Sequence, residues 1–286
     1  MKIIIAALTG LVAACIGDAA AQIVSRDSLH LKPLGSVVSG SFVLVNKVVP
    51  LPEGEFTLVA INHRGSTFVR GDYARQEHKL VDVALGQMVD KKLRVAVGAT
   101  ALLAWGGGRR EWTDEPCKRD DTLFRLNRVP FMKKNYAQNC LIVNHTVNGL
   151  GESATGLHIK LAAWVRDQGG ATPIATLVDA TITRIELGDY LVARYAFNPE
   201  AYGCHGAPAD SWETSAWHKA AIRKDAEKSL FLNGGVEFGK AMQVRVSEGF
   251  EGRREQAAAL AATTPALRRC GEAPAQRAGR LPHDRC

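Results

Sequence analysis

Residues His78 to Leu103 read HKLVDVALGQMVDKKLRVAVGATALL, and the fold follows from how this stretch is divided. Two runs rich in Val, Leu and Ala flank the polar triplet Asp90-Lys91-Lys92, which predicts two strands joined by a tight turn. Upstream, FVLVNKVV at Phe42 to Val49 is β-branched and also predicts a strand. Pro50, Pro52 and Gly54 in PLPEGE then interrupt it, and FTLVAIN resumes strand character, with Phe56, Leu58 and Ala60 sharing one face. The expectation is a four-stranded antiparallel meander whose first hairpin has a wide, proline-stiffened connection at 50–54. Such a sheet needs a cover on at least one face.

Downstream elements supply candidates for that cover. In LHIKLAAWVRDQGG, Leu157, Leu161, Trp164 and Val165 fall at helical spacing, His158, Lys160, Arg166 and Asp167 lie on the other side, and Gly169 supplies the stop. DATITRIEL and YLVARYAF, separated by Gly188-Asp189, predict another hairpin, with Leu191, Ala193, Tyr195 and Phe197 on one face. Asp210 and Glu213 form a capping-box pattern that opens a helix through Trp217, Ala221 and Lys224, and Asn233-Gly234-Gly235 is expected to break it. The predicted class is α+β: an antiparallel sheet covered by amphipathic helices, in a single domain over residues 22–250. From residue 251 the composition turns to Ala, Arg and Pro, too poor in large apolar side chains to offset ordering entropy, so 251–286 is expected to be disordered.

The N-terminus follows the secretory plan. Lys2 precedes an apolar run from Ile3 to Gly17, shorter than the roughly 20 residues a bilayer-spanning helix needs. Ala19 and Ala21 suit signal-peptidase cleavage, which makes 1–21 a signal peptide and Gln22 the mature start. Alternatively, Val12-Ala13-Ala14-Cys15 resembles the lipobox of bacterial lipoproteins, with Cys15 acylated and Val12 standing where leucine is usual. Both readings put the chain outside the cytoplasm: periplasmic or secreted in the first, membrane-tethered in the second.

The composition, 46% hydrophobic and 23% charged, is that of a globular protein, and the formal charge of +7 favours anionic partners. For an exported chain these are an envelope glycan or a lipid headgroup rather than nucleic acid, with another envelope protein as the further option. Five cysteines lie beyond the signal segment. Cys117 and Cys140 enclose a polar, irregular stretch, and a disulfide between them would contribute roughly 3 kcal/mol by loop closure. Cys270 and Cys286 fall in the tail and look adventitious.

Local motifs for chemistry are weak. Gly149, Gly151 and Ala154 in NGLGESATG fit G-x-G-x-x-A between a strand-like run and a helix, with Asp179 beyond, which is the order of a dinucleotide-binding βαβ unit. Against it, Asn144 and His145 interrupt the preceding strand, and a hairpin rather than a further βα unit follows Asp179. No zinc spacing accompanies Cys204-His205, G-x-S-x-G is absent, and Asp120-Asp121 suits a solvated loop, so no metal, cofactor or catalytic residue is assigned. The strongest binding flavour lies in 105–134. There Trp105 and Trp112 flank Gly106-Gly107-Gly108, Arg109 and Arg110, a mixture suited to stacking and charge-assisted hydrogen bonds with an anion.

The segments KVVPLPEGEFTLVA, CKRDD, NCLIVNH and YAFNPE together resemble a family of exported proteobacterial proteins with an LPPGEW-like segment near the mature start and a later cysteine pair. Here Glu53 replaces the second proline and Phe56 the tryptophan. The resemblance covers about Phe42 to Gly249; it supports export and the Cys117–Cys140 pairing, and transfers no activity. The expected function is that of an envelope binding or structural component. The alternatives are an extracytoplasmic enzyme with dispersed residues and a dinucleotide-binding protein.

Overall fold

A computed structural model describes residues 24–70, 74–104, 116–129, 137–151, 156–186, 189–252, 267 and 269–271. Eight strands form one sheet: β1 (Val37–Leu44), β2 (Lys47–Arg70), β3 (Ala74–Val89), β4 (Lys92–Ala104), β5 (Phe124–Asn127), β6 (Ala137–Gly149), β7 (Ile174–Glu186) and β8 (Asp189–Phe197). Every pairing is antiparallel, in the order β1-β2-β3-β4-β8-β7-β6-β5. Two meanders therefore meet at β4 and β8, and the order reads alike from either edge. Among the described residues, three α-helices complete the α+β fold: α1 (Leu157–Asp167), α2 (Lys219–Ile222) and α3 (Ala226–Phe250).

The opening stretch folds as its pattern predicts. Val89 pairs with Lys92 across Asp90 and Lys91, whose φ angles of 49° and 58° are those of a hairpin turn matched to strand twist. The first hairpin departs from expectation. Its turn is Val45-Asn46, with Leu44 opposite Lys47, and PLPEGE runs within β2. There residues 51–54 bulge against Gly40 alone, because pairing jumps from Ser41–Pro50 to Ser39–Glu55. The prolines are tolerated because this part of β2 pairs only with β1; β3 joins from Thr57. Val45 has φ 62°, costly for a β-branched residue, and is held by contacts from outside the hairpin. Ser28 Oγ accepts from its N–H at 2.7 Å, and the Ser25 N–H donates to its carbonyl at 2.7 Å.

The sheet curls around α3. This helix packs against β2, β6 and β7, although three strands separate β2 from β7 in the sheet. The curl is visible across β3 and β4, where strands about 4.8 Å apart would hold β2 and β8 far from each other in a flat sheet, yet Lys47 of β2 donates to Asp189 of β8 and the Tyr195 hydroxyl of β8 donates to the Pro50 carbonyl of β2. Phe231, Phe238, Met242 and Val246 of α3 share a core with Phe56, Leu85, Val97, Ile182 and Tyr195. Asn233-Gly234-Gly235, expected to end a helix, lies inside α3 instead. The helix starts at Asp225, whose Oδ1 accepts from the Lys228 N–H at 3.0 Å. Its glycines allow close approach: a Cβ on Gly239 would sit 2.9 Å from Leu141 Cδ1, and one on Gly249 would overlap the Val48 carbonyl oxygen. The capping-box helix at Asp210 does not form. Ser211 and Thr214 hydrogen-bond each other, and only the four-residue α2 follows, while buried Trp217 stacks edge-on to Phe231 at 5.5 Å.

The opposite face of the sheet carries a smaller core. Ala96 and Ala196 alternate with inward residues on β4 and β8 and meet Leu161, Ala162 and Val165 of α1. Two disulfides pin the irregular segments. Cys117–Cys140 ties a turn to β6 as expected, with Cα atoms 5.7 Å apart. Cys204–Cys270, with Cα atoms 5.0 Å apart, corrects the reading of Cys270 as adventitious: it fastens the tail beside the Tyr202 carbonyl, which accepts from the Cys270 N–H at 2.9 Å. Both bridges indicate an oxidising, non-cytoplasmic location. Among the described residues, no helix is long and apolar enough to cross a membrane.

Candidate functional site

Cross-strand register places two rows of residues beneath α1, small on β3 and β4. Ala84, Gly98, Arg194 and Thr181 form one row across β3, β4, β8 and β7; Gly86, Ala96, Ala196 and Asp179 form the next. Over Gly86 the space is filled, because a Cβ there would overlap the Trp164 ring. Over Gly98 it is open: a Cβ would meet nothing closer than the Val83 carbonyl oxygen at 4.0 Å. The result is a cavity of about 210 Å³, floored by Ala84, Ala96, Gly98 and Ala196 and walled by Leu157, Leu161 and Leu177. The β6–α1 connection, including Asn148, Gly149 and Gly151, bounds one side.

One polar edge interrupts these apolar walls. Arg194 lines the cavity and is about a third exposed, and its Nη2 donates to Asp179 Oδ1 at 3.0 Å. The other Asp179 oxygen accepts from the Thr181 hydroxyl at 3.1 Å. Arg194 Nε makes no hydrogen bond. His158, on the first turn of α1 and exposed on its outer side, faces this pair across the opening. Burial of its inner side and then the Arg194 charge hold the imidazole below its usual pKa, with Asp179 opposing them, so the ring is neutral at pH 7. Asn148 donates to the Ala209 carbonyl at 3.1 Å, and Thr146 donates to that of Leu177 at 3.5 Å. The edge therefore offers spare donors, while the Asp179 oxygens already have partners.

A second cluster sits where β6 runs past β5. His145 is buried, neither ring nitrogen makes a hydrogen bond, and it stacks on Trp212 at 5.3 Å. His218 meets Trp212 edge-on at 4.6 Å, and the indole N–H donates to Asn144 Oδ1 at 3.3 Å. Burial above all, then the nearby His218, pushes His145 down to about 4; the Trp212 backbone offsets this only in part. Among the described residues, no group of three or more His, Cys, Asp or Glu is arranged to hold a metal. Cys204 of the Cys204-His205 pair is consumed by its disulfide.

The sequence-predicted site residues fare unevenly. Trp105, Arg109, Arg110 and Trp112 lie outside the described residues, as do Cys15, the 1–21 segment, Ala154 and most of the 251–286 tail. Near that loop, Asp120 and Asp121 pair with Arg125 and Arg119 on the surface, which balances the charge locally. Gly149 and Gly151 border the cavity, but β6 and β7 run antiparallel, so the parallel βαβ unit in which the glycine motif cradles a pyrophosphate is not formed. A Cβ on Gly149 would sit 2.9 Å from Leu177 Cδ1, a packing reason for the glycine. Sequence reading missed His158, Asp179 and Arg194 as a group. Their local signals are charges in mid-strand, at Asp179 between Val178 and Ala180 and at Arg194 between Ala193 and Tyr195. No protein-family model, curated protein or solved structure matches the chain.

Proposed function

We propose that this chain is an exported binding protein of the cell envelope, with its ligand site in the cavity between α1 and the outer face of the sheet. One observation carries the reading: among the described residues, a space of about 210 Å³ is kept open by Gly98 and three alanines and carries charged and polar side chains at one edge. That space, apolar over most of its lining, suits a small molecule with an apolar body and one polar end. Two disulfides and the secretory pattern of residues 1–21 support the extracytoplasmic setting. The intact mass of unreduced protein from its own envelope separates a chain starting at Gln22 from one acylated at Cys15.

The test of the site is denaturing release of small molecules from the purified full chain, followed by mass spectrometry, beside the Gly98→Leu variant. The new side chain projects into the open space, so the expected result is a near-stoichiometric molecule released from wild type and absent from the variant. The same molecule in both, or nothing in either, overturns the assignment.

A further inference from the structure

Resting on that reading, the geometry points to a ligand class: we infer that the cavity takes a small monocarboxylate, its hydrocarbon part on Ala84, Ala96, Ala196 and Leu161 and its carboxylate at the edge between Arg194 and His158. The hydrogen-bond inventory selects an acceptor ligand. Arg194 has five N–H donors and spends one, on Asp179; its Nε is shielded from solvent, and the remaining Nη N–H groups are the ones left for a ligand. Asp179, which would otherwise attract an amine, already accepts from Arg194 and Thr181. Neutral His158 has one ring N–H to give and repels no anion. A carboxylate bound there makes charge-assisted hydrogen bonds to a guanidinium already oriented by Asp179. An alcohol gains the same apolar burial with weaker polar contacts, and an amine meets the cation with its own charge. The formal charge of +7 favours approach of an anion.

The test is calorimetric titration of the full chain at low salt with three probes of equal chain length: hexanoate, hexan-1-ol and hexylamine. Hexanoate is expected to bind at least about tenfold more tightly than either of the others, the ratio that one charge-assisted hydrogen bond supplies. Arg194→Gln is expected to remove that preference while leaving hexanol binding within about twofold. Because Arg194 also holds Asp179, Gly98→Leu serves as the second variant: it leaves every charge in place and is expected to abolish binding of all probes. If hexanol binds as well as hexanoate and Gly98→Leu blocks both, the ligand class is wrong and the cavity reading stands. If hexanoate binding survives Gly98→Leu, or no probe binds, the inference and the reading beneath it both fall.

Discussion

His145 ties the stability of this fold to pH, and the sign and size of the effect follow from its surroundings. The ring is buried against Trp212 with both nitrogens unpaired, and its pKa is pushed down to about 4 from an unfolded-state value of 6.5. Between those values the unfolded chain binds the proton and the folded chain resists it. The contribution is therefore fully present above about pH 6.5 and is lost as pH falls toward 4. At ~1.4 kcal/mol per pH unit the whole displacement corresponds to roughly 3 kcal/mol. Of this, about 2 kcal/mol is lost by pH 5, roughly 1.5 pH units at that slope, and the rest below it. His145→Phe keeps a ring against Trp212 and removes the titration. Urea unfolding of wild type and variant at pH 7.5 and 5.0 isolates the residue, because His30 and His158, whose pKa values are also lowered, remain in both proteins. Wild type is expected to lose about 2 kcal/mol more than the variant over this interval. At pH 7.5 the variant is expected to equal or exceed wild type, since two unpaired buried nitrogens are gone. Equal pH slopes in the two proteins refute the reasoning.

Three further outcomes follow from packing and pairing, each read by denaturant or thermal unfolding. Gly249→Ala drives a methyl group into the Val48 carbonyl and is expected to cost about 3 kcal/mol, whereas Gly235→Ala, whose Cβ would lie 4.0 Å from Leu267, is expected to gain up to ~1 kcal/mol of helix propensity; similar values for both would show that α3 is not wedged as described. Lys47 is 1% exposed and pairs with Asp189, itself 28% exposed, so Asp189→Ala leaves a buried cation with the neutral Asn46 Oδ1 and the Phe250 ring but no counter-charge and is expected to destabilise by about 3 kcal/mol, more than Lys47→Met, which leaves a carboxylate that water can reach. The reverse order would refute this. Replacing Cys204 and Cys270 together with Ser releases the tail from Tyr202 and is expected to cost about 4 kcal/mol by loop closure; an unchanged midpoint would mean that the bridge constrains nothing the unfolded chain explores.

Where chemistry is local, the sequence by itself was sufficient. Period-two alternation places the strands around Asp90-Lys91 and lines Leu191, Ala193, Tyr195 and Phe197 on one face, because a pleated chain turns successive side chains to opposite sides. Spacing at i and i+4 gives α1, and its stop at Gly169 has φ 74°. A polar stretch bracketed by two cysteines gives the Cys117–Cys140 bridge. Tertiary structure decided the features whose energies come from residues far apart in the chain. Val45 adopts a turn marked locally only by Asn46, because Ser25 and Ser28 bind its backbone from outside the hairpin. Asn233-Gly234-Gly235 stays helical because the curled sheet repays the lost propensity with contacts that a larger residue at Gly239 or Gly249 would block. The cavity exists only where register sets Gly98 beside Ala84 and Arg194, residues on three strands, under a helix that reaches Gly86 with Trp164 but leaves Gly98 uncovered. Alternation tells which way a side chain points; what it finds there depends on which strand lies alongside and at what register, and that is settled only when the sheet closes around α3.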